Sequence, residues 1–412
     1  MMLLAMTGNA HKHENAGSDH FTKRPFSLFH SLCLLLIALA FSGQVLADCE
    51  CGYQSDSPDG EYQDVFTDLI ETNFARMPDI SSNTDWQRQE FNVTKAKARG
   101  EYGEMFYVKD DVEYVDKNGN RASDGLQLIV RQDPIDGMVP VAEVDTARLD
   151  LSYGTFRASM KLTDIPGTCA AFFWVSICSH VRFFSRLTLT YLHLQYFNDT
   201  QEIDMEFLSK DFDHSKNTYP VNLVLQSRAA TAHGYDASQT DNFIKANLPF
   251  DPTADFHEYR IDYNPSEILF YADRELLGKI NGSNAPSPNS HGHLILSHWS
   301  NGNPKWSGGP PKEDAALVIR YVKAYFNSTE PKRTQDWSGR CKNAKAETSV
   351  CKIPVVTREK QTAKDYFFSD YADKAKNQTV YEPTSGARTF EAAVSWTVIL
   401  VFLMVGYSGG FF

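Results

Sequence analysis

The run Glu202-Ile203-Asp204-Met205-Glu206-Phe207 sets three carboxylates at alternate positions of a segment whose other residues are large and apolar. In a β-strand, residues i, i+2 and i+4 share one face. Glu202, Asp204 and Glu206 then crowd one surface while Ile203, Met205 and Phe207 enter a core. Like charges side by side on a sheet repel, so folding stability alone does not select this pattern. Cleavage of a glycosidic bond does call for it: one carboxylate attacks or activates water, and a second, kept protonated, donates to the leaving oxygen. On a flat strand the Cα atoms of Glu202 and Glu206 lie roughly 13 Å apart. A retaining reaction wants the carboxyl groups about 5–5.5 Å apart, which predicts a strongly concave sheet.

Glu-Ile-Asp-Met-Glu-Phe resembles the catalytic strand of glycoside hydrolase family 16, the laminarinase-like enzymes with a concanavalin A-like jelly roll, here of the fungal secreted type. His257-Glu-Tyr-Arg-Ile-Asp-Tyr263, Ile268-Leu-Phe-Tyr-Ala-Asp273 and Tyr321-Val-Lys-Ala-Tyr-Phe326 resemble its downstream and closing strands. The resemblance runs from about Phe66 to Phe326. It implies Glu202 as nucleophile, Glu206 as general acid/base and Asp204 as the residue between them that tunes their protonation. It implies a β-glucan as partner and no cofactor for the reaction. Members often carry a structural calcium on the convex face, and no acidic loop in this sequence marks one.

Between these residues the chain reads as short strands broken by turn signals: Gln127–Arg131, Tyr153–Lys161, Val221–Leu225, Glu258–Tyr263, Glu267–Tyr271 and Leu317–Phe326. No long helical period appears outside the tails. The expected fold is all-β, an antiparallel β-sandwich (jelly roll) with a concave groove, spanning 48–326. The polar stretch 327–384 reads as a stalk.

The ends speak to location. Lys23 and Arg24 precede the apolar run Leu32–Phe41 and Val45-Leu-Ala47, which reads as a signal peptide over 1–47. At the other end, the apolar stretch Ala392–Tyr407 follows Ser385-Gly-Ala387. The segment 385–412 is expected to be a glycosylphosphatidylinositol-anchor signal, with a retained membrane helix as the alternative. Sequons at Asn92, Asn198, Asn281, Asn327 and Asn377 are compatible with a secreted glycoprotein. Of seven cysteines, Cys341 and Cys351 are placed to close a small loop, and Cys49 and Cys51 to tie the N-terminus to the body. No cysteine or histidine spacing suggests zinc. A formal net charge of −12 and no basic cluster argue against a nucleic-acid partner.

Val175–Gln195 contradicts its surroundings, for it contains no Gly, Pro, Asp or Glu just before the catalytic strand. Deleting it joins Ala170–Trp174 to Tyr196–Glu202 as strand, polar turn and strand, a form closer to the family. Val-Ser codons admit GTAAGT, Leu-Thr codons can contain CTAAC, and Gln admits CAG. The segment therefore reads as a short fungal intron translated in frame, against the alternative of a genuine apolar loop.

Candidate sugar contacts are Trp174, His298, Trp299, Asn301 and Trp306. A loop Trp among polar residues suits a sugar face. Trp174 has Phe172 and Phe173 beside it, and His298 serves a structural role equally well. His257 reads as packed. Three functions stand: a secreted, surface-attached retaining endo-β-glucanase, a wall transglycosylase using the same residues, and a glucan-binding lectin-like module.

Overall fold

The computed structural model describes residues 49–55, 65–77, 80–106, 112–113, 125–177, 197–233, 236–281, 290–357 and 361–371. The expected signal peptide, the hydrophobic tail, residues 372–384 of the expected stalk and residues 178–195 of the anomalous segment lie outside them.

The strands, in chain order, are β1 (Gly52–Gln54), β2 (Val65–Phe66), β3 (Asp68–Asn73), β4 (Trp86–Arg88), β5 (Phe91–Val93), β6 (Gly103–Phe106), β7 (Val112–Glu113), β8 (Leu126–Val130), β9 (Met138–Thr146) and β10 (Leu151–Lys161). They continue as β11 (Cys169–Ile177), β12 (Phe197–Leu208), β13 (Pro220–Gln226), β14 (Phe243–Asn247), β15 (His257–Tyr263), β16 (Glu267–Ala272), β17 (Glu275–Asn281), β18 (Gly292–Trp299), β19 (Ala315–Ser328) and β20 (Val350–Lys352). All six expected strands are present, their ends within two residues of those expected.

One antiparallel layer runs β4–β9–β18–β11–β12–β13–β14. The other runs β3–β19–β10–β15–β16–β17, with β8 beside the first part of β19. The layers sandwich one core. Alternation along each strand decides what enters it: Phe172 and Trp174 from β11, Ile203, Met205 and Phe207 from β12, and Leu294 and Leu296 from β18. Phe156, Tyr259, Ile261, Phe270 and Phe326 come from the opposing layer. Burial of such side chains is worth about 1.5–3 kcal/mol each.

The outward face of the second layer is polar yet covered. Arg157, Arg260 and Lys323 are buried there beside Glu71 and Asp262. The Lys323 ammonium donates to Tyr366 O. Ser159 Oγ donates to Gln361 Oε1 at 2.6 Å, and Ser369 N donates to Glu71 Oε2 at 2.9 Å. The 327–371 part of the expected stalk is therefore packed structure. It holds the helix Pro331–Arg340, the strand β20 parallel to β1, and Ile353 and Phe368 clustered with Tyr53, Phe66 and Tyr325. Its polar composition misled because its buried apolar residues, Ile353, Phe367 and Phe368, are few among polar neighbours.

The pairing of Cys341 with Cys351 is likewise corrected. The disulfides are Cys49–Cys351 and Cys51–Cys341, closing loops of 302 and 290 residues. The expected tie of the N-terminus to the body holds. Because the two bridges run side by side, either one already closes the long loop, and the other adds only a short one. Chain entropy then predicts a loss of about 3 kcal/mol when Cys51 and Cys341 are changed to Ser. Removing the second bridge from that variant should cost a further 5 kcal/mol or so. Urea unfolding of the two single-bridge variants and the double variant measures this, and a double-variant loss no larger than the sum of the two single losses would refute it.

Candidate active site

Cross-strand register places the three carboxylates. Glu202, Asp204 and Glu206 pair with Val175, Phe173 and Ala171 of β11 and with Gln226, Val224 and Asn222 of β13. Directly opposed residues share a face, so these side chains stand on the groove side while Ile203 and Met205 enter the core. They line a cavity of about 630 Å³ with Ala171, Phe173, Val224 and Gln226 as neighbours on the sheet. Phe243, Asp236, Arg99, Trp299, Asn301, Asn303, Lys305 and Trp306 form its sides. Glu202 and Glu206 are half-buried and Asp204 is buried.

The electrostatics separate the three groups. Burial pushes the Asp204 carboxyl well above the usual range, reinforced by the Glu202 charge, a hydrogen bond with Glu202, and Glu206. Burial and the neighbouring Glu202 thus both favour the neutral form of Asp204. Burial also raises Glu206 to about 7; the Trp306 hydrogen bond opposes the rise, the Glu202 charge adds to it, and Arg99 opposes it. Trp306 Nε1 donates to Glu206 Oε1 at 3.2 Å. The Cys169 thiol, buried and free, lies 4.0 Å from the same oxygen. A carboxyl that keeps its proton near neutrality is a competent general acid.

The loop bearing Trp306 is internally braced. Ser307 Oγ donates to Asn301 Oδ1 at 3.1 Å, Asn303 N donates to the same oxygen at 3.0 Å, and Gly308 N donates to Asn303 O at 2.7 Å. Gly309 adopts φ +88°, and a Cβ there would lie 2.1 Å from Ser300 Oγ.

Of the expected sugar contacts, Trp299 and Trp306 reach the cavity, both half-buried. Asn301 also lines it but is buried, its Nδ2 donating to Ala98 O at 2.8 Å and Glu104 Oε1 at 3.1 Å. Two are corrected. Trp174 is fully buried in the core, its Nε1 donating to Leu151 O at 3.2 Å, because it lies on the alternate parity of β11. His298 is also fully buried; its Nδ1 meets Leu128 O at 2.8 Å, and burial lowers the ring to about 4. His257 is packed as expected, stacked on Phe250 at 3.4 Å. Phe173, Arg99, Gln226 and Phe243 escaped the sequence reading. Phe173 was missed together with Trp174: neighbours on a strand face opposite ways, so placing Trp174 toward the groove put Phe173 in the core.

Among the described residues no group of three or more His, Cys, Asp or Glu side chains is placed to hold a metal.

The raised acids make stability depend on pH. Glu104 is held up to about 7 by burial, against a hydrogen bond from Asn301 and the charge of Arg99. Glu206 sits at about the same value. Folded values above the unfolded ones mean stabilisation that is complete below about 4.5 and lost as pH rises through 7. The melting midpoint should therefore fall between pH 5 and pH 8, and Glu206→Gln should flatten that fall. Calorimetry across the range decides, and a midpoint rising over it would contradict the assignment.

The family model "Glycosyl hydrolases family 16" matches residues 109–323, a little over half of the 412-residue chain. The chain is similar to Crh-like protein 2 of Botryotinia fuckeliana (strain B05.10), with 25% identity over 34% of this chain and 33% of that protein. It is 28% identical to probable xyloglucan endotransglucosylase/hydrolase protein 21 of Arabidopsis thaliana over 49% and 61% of the two. It is 25% identical to a beta-glucanase of Paenibacillus polymyxa over 56% and 82%. The chain spans about a third to three fifths of the length of the first three of its curated relatives. Among solved structures, the laminarinase from Rhodothermus marinus matches with a TM-score of 0.46 at 18% identity, over 63% of this chain and 97% of that one. With the motif strand, the sandwich and the family match in agreement, the chain belongs to glycosyl hydrolases family 16.

Proposed function

We propose that this protein is a retaining endo-acting β-glucan hydrolase, working on cell-wall polysaccharide through Glu202 and Glu206. The observation that carries this reading is the row Glu202, Asp204, Glu206 on one groove-facing strand, with Glu206 raised to about 7. Glu202 attacks the anomeric carbon and Asp204, keeping its proton, steadies the nucleophile's charge. Glu206 protonates the leaving glycosidic oxygen, which departs as the glycosyl–Glu202 ester forms. Glu206, now a carboxylate, takes a proton from the incoming water that opens the ester, so the anomeric configuration is retained overall. The aromatic rims of Trp299 and Trp306 offer faces for sugar rings.

Transfer to a second sugar is the alternative outcome, with a sugar hydroxyl in place of water at the second step. The relatives named Crh-like protein 2 and xyloglucan endotransglucosylase/hydrolase favour keeping it. A lectin-like module is the weaker reading because both glutamates are present. We further propose secretion with a lipid-anchored or membrane-held tail. The two disulfides suit an oxidising compartment.

Product analysis on laminarin, lichenan and chitin oligomers separates the outcomes. Glu202→Gln should lose at least about a thousandfold in turnover while melting as the wild type does, and near-wild-type activity would sink the assignment. Proton NMR of the first-formed anomer should show the β product from a β-glucan; an α product would mean inversion.

The intron reading of Val175–Gln195 carries its own test. Val175, Ser176 and Ile177 end β11, and the register slips between Val175 and Ile177 against β12. A message lacking these codons is expected, and the shortened protein should be more soluble and more active. A single long message, with lower activity on deletion, would make the segment a genuine part of the protein.

A further inference from the structure

Arg99 is held in an unusual way at the edge of the site. It ends the helical turn Lys95–Ala98 with φ +59°, its N–H donating to Lys95 O at 3.1 Å. Left-handed backbone at a helix end ordinarily falls to Gly or Asn. Here the glycine is the next residue, where it is required for another reason: a Cβ on Gly100 would lie 2.1 Å from Asn301 O. That carbonyl accepts from Tyr102 N at 2.9 Å, while Asn301 Nδ2 donates to Ala98 O and Glu104 Oε1. The turn 98–102 is thus clamped to the loop that carries Trp306, and Arg99 enters the catalytic cavity from it.

Glu206 meets charge and polarity from every side. Its own strand supplies Glu202 and Asp204, and β11 supplies Cys169. Asn222 of β13 stands opposite it, with Lys245 of β14 beyond, the latter donating to Asp211 at 2.9 Å. The loop brings Trp306 and Lys305, the far wall Asp236, and the clamped turn Arg99 with Glu104 behind it. Arg99 pulls down both Glu206 and Glu104, against their burial. A non-glycine residue kept in a disfavoured backbone region beside the chemistry points to a job for its side chain.

We propose that Arg99 is a positioning residue for Glu206, holding a fixed positive charge at the edge of the site so that this carboxyl alternates between acid and base in one place. This rests on the reading of Glu206 as the acid/base. Arg99→Gln removes the charge, Arg99→Lys keeps it, and Arg99→Gly suits the φ of +59° and so guards against a folding defect. The Glu206 side chain, followed by carbon-13 NMR, should titrate about half a pH unit or more higher in the Gln and Gly variants than in wild type and Lys. The basic limb of kcat/KM on laminarin or lichenan should move up with it, since Glu206 must be protonated to donate. An unmoved or lowered titration in Arg99→Gln and Arg99→Gly overturns the proposal whatever the activity. A moved titration in a protein that cleaves no β-glucan upholds the electrostatic link and overturns the catalytic reading instead.

Discussion

The structure turns on the in-register pairing of β12 between β11 and β13. That pairing alone decides that Glu202, Asp204 and Glu206 face the groove, because a slip by one residue would exchange them with Ile203, Met205 and Phe207. The apolar set fixes the register: Ile203 and Met205 are fully buried, and burying carboxylates in their place would be prohibitive. Core packing thus enforces the crowding of like charges on the other face. Repulsion and desolvation thus reappear as raised carboxyl groups at Asp204 and Glu206.

Holding such a site demands a frame that does not relax. Part of the frame is the sandwich core; part is the wrapping of the second layer by the chain beyond β19. Lys323, Arg157 and Arg260 are buried cations with carboxylates near them, and the segment 361–371 closes over that network. Buried ion networks of this kind are weak evidence for net stability, yet breaking one partner is costly. The two disulfides join the chain's early and late segments and keep β1 and β20 together. The groove lies on one layer, and the segments that flank the opposite layer are joined covalently to each other.

Much of this was legible in the residues. Period-two patterning gave the strands, the alternation of acids gave the groove-facing side, and Trp306 was placed at the cavity by its Gly, Pro and Asn neighbours, whereas Trp299 reaches it from the last position of β18 rather than from a loop. What failed was long-range. Trp174 was read as a sugar contact because no local signal tells which parity of Cys169–Ile177 meets the core; its register with Leu294 and Ile203 does. Cysteine spacing cannot give connectivity, and Cys341 and Cys351 each pair with a residue some 300 positions away. The folded segment after β19 hides in polar sequence because its few anchoring residues, Ile353, Phe367 and Phe368, form no repeating pattern and pack on a surface made elsewhere.

The charge balance of the groove follows from these placements. A neutral polysaccharide, the substrate proposed above, would bring no charge of its own, and the protonation of each acid would then be set by the protein alone. Asp204 is settled by burial and by Glu202. Glu206 is poised between two opposing sets: burial and Glu202 push it up, while Trp306 and Arg99 draw it down. The elements supplying the downward pull, the 300–309 loop and the 98–102 turn, are bound to each other through Asn301. Asn301, buried at the cavity wall, thus uses its amide and carbonyl to hold in place the two groups that draw Glu206 down, and on the proposed function that carboxyl stays near neutrality, where it can both give and take a proton.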